Sequence, residues 1–204
     1  MTRLSWETLP RTFESGIDRG VLFFDNNESV EWNGLVSLTE DVAAVPGNPL
    51  YFDGICYNVE QDLSDYSAKV GAYIYPYMLE DHILALCDGR TFVGDQSPSS
   101  VFGFSYRTRT GEGYRIHIVY NVVATIETTS YETISATPTL KPFTFIFRTT
   151  PVPIAGARPS SHIFVDSNEA NSSKIYEIEK ILYGSDEAHP RLPPVAEVVS
   201  LFNA

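Results

Sequence analysis

Apolar residues come in short aromatic and β-branched runs, each closed by Gly, Pro, Asn or Asp, and that punctuation predicts a mainly β chain. Val21-Leu22-Phe23-Phe24 is one run, ended by Asp25-Asn26-Asn27. Residues 34–39 and 50–58 are two more, divided by Pro46-Gly47-Asn48-Pro49. Residues 68–75 read as a strand that stops at Pro76, which has no N–H to give a ladder. The clearest hairpin joins 102–109 to 114–123 through Thr110-Gly111-Glu112-Gly113, where glycines suit the positive φ of a tight turn. Alternation puts Arg115, His117 and Val119 on one face and Ile116, Ile118 and Tyr120 on the other. It decays at Val122-Val123, as it does where the far end of a strand is buried. Phe143, Phe145 and Phe147 share one face of another strand, and residues 162–166 form a short further one. About eight or nine strands result, enough for a sandwich or a small barrel.

Helical periodicity is confined to a few stretches. Ser173 is placed to cap SKIYEIEKILY, whose Ile175, Ile178, Ile181 and Leu182 make an apolar stripe ended by Gly184. Pro193-Pro194 precede residues 195–202, with Val195, Val198, Val199 and Phe202 on one face. Residues 77–86, between Pro76 and Asp88-Gly89, form another candidate. Three segments look unlike core: 1–19, 88–100 and 185–204. The expected organisation is an N-terminal arm (1–19), a β-sandwich/barrel domain (20–184), and a C-terminal segment (185–204) packing on the domain or on a neighbouring subunit. Loops beyond about 12 residues are uncommon in compact domains and often bind something, and 88–100 reaches that length. The fold class is thus mainly β, a single-domain β-sandwich/barrel with one or two short helices and extended arms or loops.

Composition narrows the function more than the fold. Of 204 residues, 43% are hydrophobic and 20% charged, which predicts a packed core rather than disorder. No apolar run approaches the roughly 18 residues of a membrane span. The first residues, MTRLSWETLPRTFESG, are polar where a signal peptide is apolar, so a cytosol-like compartment is expected. With 26 acidic and 14 basic residues the net charge is −12, which argues against a nucleic-acid grip. An acidic surface keeps free subunits apart, and an acidic wall would also repel DNA and let it slide past. Cys56 and Cys87 stand alone, without a CxxC pair, and are expected to be buried thiols.

Residue patterns for catalysis are missing. His82, His117, His162 and His189 fall in no HExxH or HxH spacing. His82 and Cys87, five apart on the candidate helix, would lie on different faces. Neither Ser15-Gly16 nor Gly103-Phe104-Ser105-Tyr106 belongs to a GxSxG elbow, and Gly111-Glu112-Gly113 lacks the third glycine of a dinucleotide site. Acidic neighbours such as Glu40-Asp41, Glu80-Asp81 and Asp186-Glu187 read as solvated surface. The sequence reading therefore names no catalytic residue, no metal ligand and no cofactor, and predicts no enzyme.

Several blocks, in order along nearly the whole chain, resemble the major tail tube proteins of long-tailed phages that infect actinobacteria. They include RTFESGIDRGVLF (11–23), Trp32-Asn33-Gly34-Leu35, Tyr51-Phe52-Asp53-Gly54-Ile55, Ala72-Tyr73-Ile74-Tyr75-Pro76 and Cys87-Asp88-Gly89. FGFSYRT (102–108) with GYRIHIVYN (113–121) is the strongest block. Residues 145–151, Arg158-Pro159-Ser160, Val165-Asp166-Ser167, Leu182-Tyr183-Gly184 and PRLPPVAEVVSLF (190–202) follow. Two loops depart from the family: 107–114 is shorter and less acidic, and 94–98 lacks a Gln-rich segment ending in a basic residue.

The resemblance implies a virion structural protein whose subunits form rings, usually of six, stacked into a hollow tube that guides DNA from capsid to host. Its partners would be itself, then the tape measure, tail terminator and tail-tip proteins, with DNA crossing the lumen unbound and no membrane contact. It would be assembled in the host cytoplasm and located in the virion tail, without a contractile sheath. Six copies would carry about −72 per ring. Arg11, Asp18, Arg19, Asp95 and Gln96 are the expected subunit-interface residues, in segments that order on assembly. The rival reading is a tail-tip or baseplate β-sandwich binding host-surface carbohydrate through Trp6, Trp32 and the tyrosines, against which core packing is the simpler use of aromatic side chains.

Overall fold

The apolar runs become strands because their neighbours across a sheet bury them, and chain breaks fall where Gly, Pro, Asn or Asp interrupts them. The computed structural model describes residues 13–25, 28–41, 49–59, 66–87, 90–92, 100–127, 131, 133 and 140–203. The first six strands are β1 (Glu14–Phe23), β2 (Ser29–Trp32), β3 (Leu35–Asp41), β4 (Pro49–Phe52), β5 (Ile55–Val59) and β6 (Ser67–Ala72). The rest are β7 (Ala85–Cys87), β8 (Arg90–Phe92), β9 (Phe102–Thr110), β10 (Tyr114–Ile126), β11 (Phe143–Thr149) and β12 (His162–Asp166). Three helices accompany them: α1 (Tyr77–Ile83), α2 (Ser172–Tyr183) and α3 (Val195–Asn203). The protein is mainly β, a β-sandwich domain with few helices, as the sequence predicts.

One antiparallel sheet organises the domain, in the order β2-β1-β9-β10-β11-β6-β3, with β12 added on β10. Strand β10 takes β9 along one edge. Its other edge is shared: residues 115–119 pair with β12 and residues 122–126 with β11. The sheet folds over on itself, so that its two ends share one inner core. Trp32 of β2 lies 5.8 Å, ring to ring, from Phe104 of β9 and 5.6 Å from Phe145 of β11. Leu22, Val70 and Phe147 complete the centre of that core. Gly20 marks how closely β1 and β3 approach, since a Cβ there would sit 2.5 Å from Leu35 Cδ1.

The opposite face of the sheet is covered by helices. Val21, Ile116, Ile118 and Tyr120 pack beneath Ile178 and Leu182 of α2 and Val195 and Val198 of α3. The predicted alternation is therefore realised: Ile116, Ile118 and Tyr120 face the helices, and Val119 faces the inner core. Its decay has a different cause from the one expected. Asn121 takes a positive φ of 50° within a bulge between Val119 and Val122, and the phase of the strand flips there. Val122 and Ala124 thus rejoin the inner core, while Val123 is half-buried.

Local chemistry sets the helix ends. The Asn171 side chain, not Ser173, caps α2: its Oδ1 accepts the Ser173 backbone N–H at 3.0 Å. Gly184, at φ 82°, ends that helix. Helix α1 stops at Ile83 and the chain enters β7, so Cys87 lies on a strand and shares no helix with His82. His82 instead packs its ring 4.1 Å from that of Phe24. Residues 185–203 pack on their own domain, with the Tyr120 hydroxyl donating to the Pro193 carbonyl at 2.9 Å.

Three segments differ in detail from their sequence reading. Residues 50–58 are not one run but a hairpin of β4 and β5, turned at Asp53 and Gly54, both with positive φ (51° and 76°). Strand β1 starts at Glu14, inside the segment read as an arm, and residues 1–12 lie outside the described residues. The 88–100 stretch contains β8, paired with β7. The expectation of buried thiols at Cys56 and Cys87 falls on side chains outside those described.

Phe147 is fully buried between Trp32, Phe102 and Phe104. Phe147→Ala should lower the unfolding free energy by about 3–5 kcal/mol, whereas Phe143→Ala, at the half-buried end of the same strand, should cost distinctly less. Urea unfolding of the two variants checks the order.

Candidate functional site

Strand β1 carries the two interface candidates that the structure describes. Asp18 lies opposite Arg107 in the β1–β9 register. It accepts two hydrogen bonds from that guanidinium, at 2.6 and 3.0 Å, and a third from Arg109 at 3.2 Å. The Arg107 hydrogen bonds hold the Asp18 carboxyl below its ordinary value of 3.8. Arg19 would point to the other face of a regular strand, but it has a positive φ of 51° in a bulge between Asp18 and Val21. Its guanidinium lies 3.6 Å from Glu179 and 5.3 Å from the Tyr183 ring, both on α2. Both residues are therefore engaged within the subunit. Arg11, Asp95 and Gln96 lie outside the described residues.

A polar cluster sits inside the folded sheet, where β3, β9, β10 and β12 converge. His117 Nδ1 is 3.0 Å from His162 Nε2 and 3.8 Å from Glu40 Oε1. The Tyr106 hydroxyl donates to Glu40 and lies 3.3 Å from the Tyr66 hydroxyl. The Tyr106 and His117 rings are parallel within 9°, centroids 4.5 Å apart. On its outer side His117 Nε2 is 2.9 Å from Thr108 Oγ1, which donates in turn to Glu14 Oε2 at 2.9 Å. Burial, reinforced by His162, pushes the His117 imidazole down to about 4, and burial also lowers His162. Burial pushes the Tyr66 and Tyr106 hydroxyls up. At neutral pH the cluster thus offers neutral imidazole nitrogens and protonated phenols. Glu40, His117 and His162 are the group whose donor atoms could serve a metal ion, all within 4.8 Å of one another.

Around this cluster the sheet is incompletely paired. Strand β2 joins only residues 20–23 of β1, and β3 pairs with β6 on one edge. Among the described residues, 14–19 of β1 and the outer edge of β3 carry no further strand. Between them lies a cavity of about 390 Å³ lined by Glu14, Ile17, Val36, Leu38, Glu40 and Tyr106, among others. Among the exposed apolar side chains are Tyr51 and Ile55 at the β4–β5 turn, 61% and 62% exposed.

Trp32, an expected sugar-stacking residue, is a core residue with its indole N–H donating to the Ile74 carbonyl at 2.9 Å. Trp6 lies outside the described residues. The cluster has no local spacing to betray it in the sequence, because its members lie at positions 40, 106, 117 and 162, with Glu40 exposed at its edge. The one available signal was His117 on the inward face of an alternating strand. Neither a protein-family model nor a curated protein matches the chain.

Asp18→Asn should lower stability at neutral pH by about 1–3 kcal/mol, because the buried side of Arg107 loses its charged acceptor. A lowered carboxyl contributes stability that is present above its unfolded value and lost as pH falls through the folded one. The gap between wild type and Asp18→Asn should hold constant down to about pH 5 and close below the ordinary carboxylate value. Chemical denaturation across pH 7 to 3 measures it.

Proposed function

We propose that the chain is the repeating subunit of the tail tube of a long-tailed phage, a structural protein that self-associates into stacked rings. The observation that carries this reading is the β4–β5 hairpin, which pairs with no other strand among the described residues. It holds two large apolar side chains, Tyr51 and Ile55, exposed at its turn. A lone two-stranded hairpin is marginal in water, and an apolar tip of this kind favours a surface to cover it. A second copy of the chain is the occupant the sequence resemblance supplies. The edges of β1 and β3, unpaired among the described residues, point the same way, since ring closure is one means by which edge strands are paired.

Charge is consistent with a conduit. Rings of six would carry about −72, a field that keeps DNA moving past the wall rather than bound to it. Partners beyond the chain itself follow from the same resemblance: a tape measure protein inside the tube, with terminator and tip proteins at its ends. No described helix is long and apolar enough to cross a membrane.

The purified chain should form rings or tubes in negative-stain micrographs and scatter light as an oligomer. A Tyr51→Ser, Ile55→Ser variant should keep the thermal transition of the domain yet remain monomeric. A wild-type chain that stays monomeric at high concentration and binds polysaccharide would overturn the tube in favour of a tail-tip binding module.

A further inference from the structure

We infer that Glu40, His117 and His162 form a site for a divalent transition-metal ion of the zinc class, which would tie the edge strand β3 to β10 and β12. The inference goes beyond the tube reading and does not rest on it. Two imidazoles with one carboxylate suit zinc, cobalt or nickel, whereas magnesium and calcium favour all-oxygen sets. Ligand atoms about 2 Å from a shared zinc ion stand roughly 3.3 Å apart in a tetrahedral arrangement. Here the separations are 3.0 Å between the two imidazole nitrogens and 3.8 Å from His117 Nδ1 to Glu40 Oε1.

The surroundings orient the ligands. Thr108 donates its hydroxyl proton to Glu14, so its oxygen receives the His117 Nε2 proton. That hydrogen-bond chain leaves the His117 Nδ1 lone pair directed inward, the outer-shell arrangement that fixes the tautomer of a metal-bound histidine. Without an ion, His162 Nε2–H donates to that lone pair, and the Glu40 carboxylate faces it as a second acceptor. A cation answers both groups at once, while the His162 proton moves to its own Nδ1 and no proton need leave the site. Parallel packing of His117 on Tyr106 holds one ring, and the Tyr106 hydroxyl steadies Glu40. The cavity between β1 and β3 reaches Glu40, Tyr106 and Thr108, which gives an ion a way in.

Isothermal titration of untagged, chelator-treated full-length chain with zinc chloride tests this. One ion per chain is expected, and cobalt in its place should give a visible d–d absorption that zinc abolishes. His162→Gln and His117→Gln should weaken zinc binding more than 100-fold, and Thr108→Val by about 10–100-fold. His189→Gln, on the exposed turn after α2, should change nothing. If His117→Gln fails to fold, Glu40→Gln on the edge strand serves instead, its metal-free thermal transition reporting the fold. No saturable heat and no cobalt spectrum, or binding that survives His162→Gln in folded protein, overturns the site.

Discussion

Strand β10 has to serve two cores with a single backbone, and the rest of the architecture depends on how it does so. Its first half turns Ile116, Ile118 and Tyr120 toward the helices and Val119 inward. Its second half turns Val122 and Ala124 inward, which an uninterrupted period of two would forbid. The bulge at Asn121 reconciles the halves by adding one residue to the strand. It coincides with the exchange of partners on that edge, β12 before it and β11 after it. That exchange carries the sheet from its helix-covered part to the part that folds over Trp32.

This dependence explains what could be read from the sequence. Composition and alternation gave the β class, the central hairpin, the faces of β10 and the apolar stripes of α2 and α3, because each is a local pattern with a fixed period. The bulges at Arg19 and Asn121 were illegible, because either residue also fits an ordinary strand and only the cross-strand register reveals the shift. Asp53-Gly54 is a strong turn signal within the apolar stretch 50–58 and marks its division into β4 and β5. The His117–His162 contact was beyond sequence reasoning, since β12 meets β10 only after an intervening strand and loop.

The surface charges first favoured for assembly have intramolecular work. Asp18 and Arg19 fasten β1 to β9 and to α2, and to recruit Asp18 a neighbouring subunit would have to compete with its short, partly buried pair with Arg107. The proposed assembly would instead draw on Tyr51 and Ile55 at the hairpin turn and on the edges of β1 and β3 that carry no strand among the described residues. These are also the features that a single subunit satisfies least well by itself.

The edge strand β3 links the two proposals. On one side its backbone is paired with β6; toward β1 and β9, side chains reach it, Leu35 against Gly20 and the Tyr106 hydroxyl against Glu40. Glu40, anchored in this way at the edge strand, faces an interior that already holds two imidazoles kept neutral by burial. In a chain with net charge −12, a bound cation at this site would offset part of that charge and stiffen the seam. A subunit so braced would present its edge strands in fixed positions before any neighbour arrives, and preorganised edges are what repeated ring closure requires.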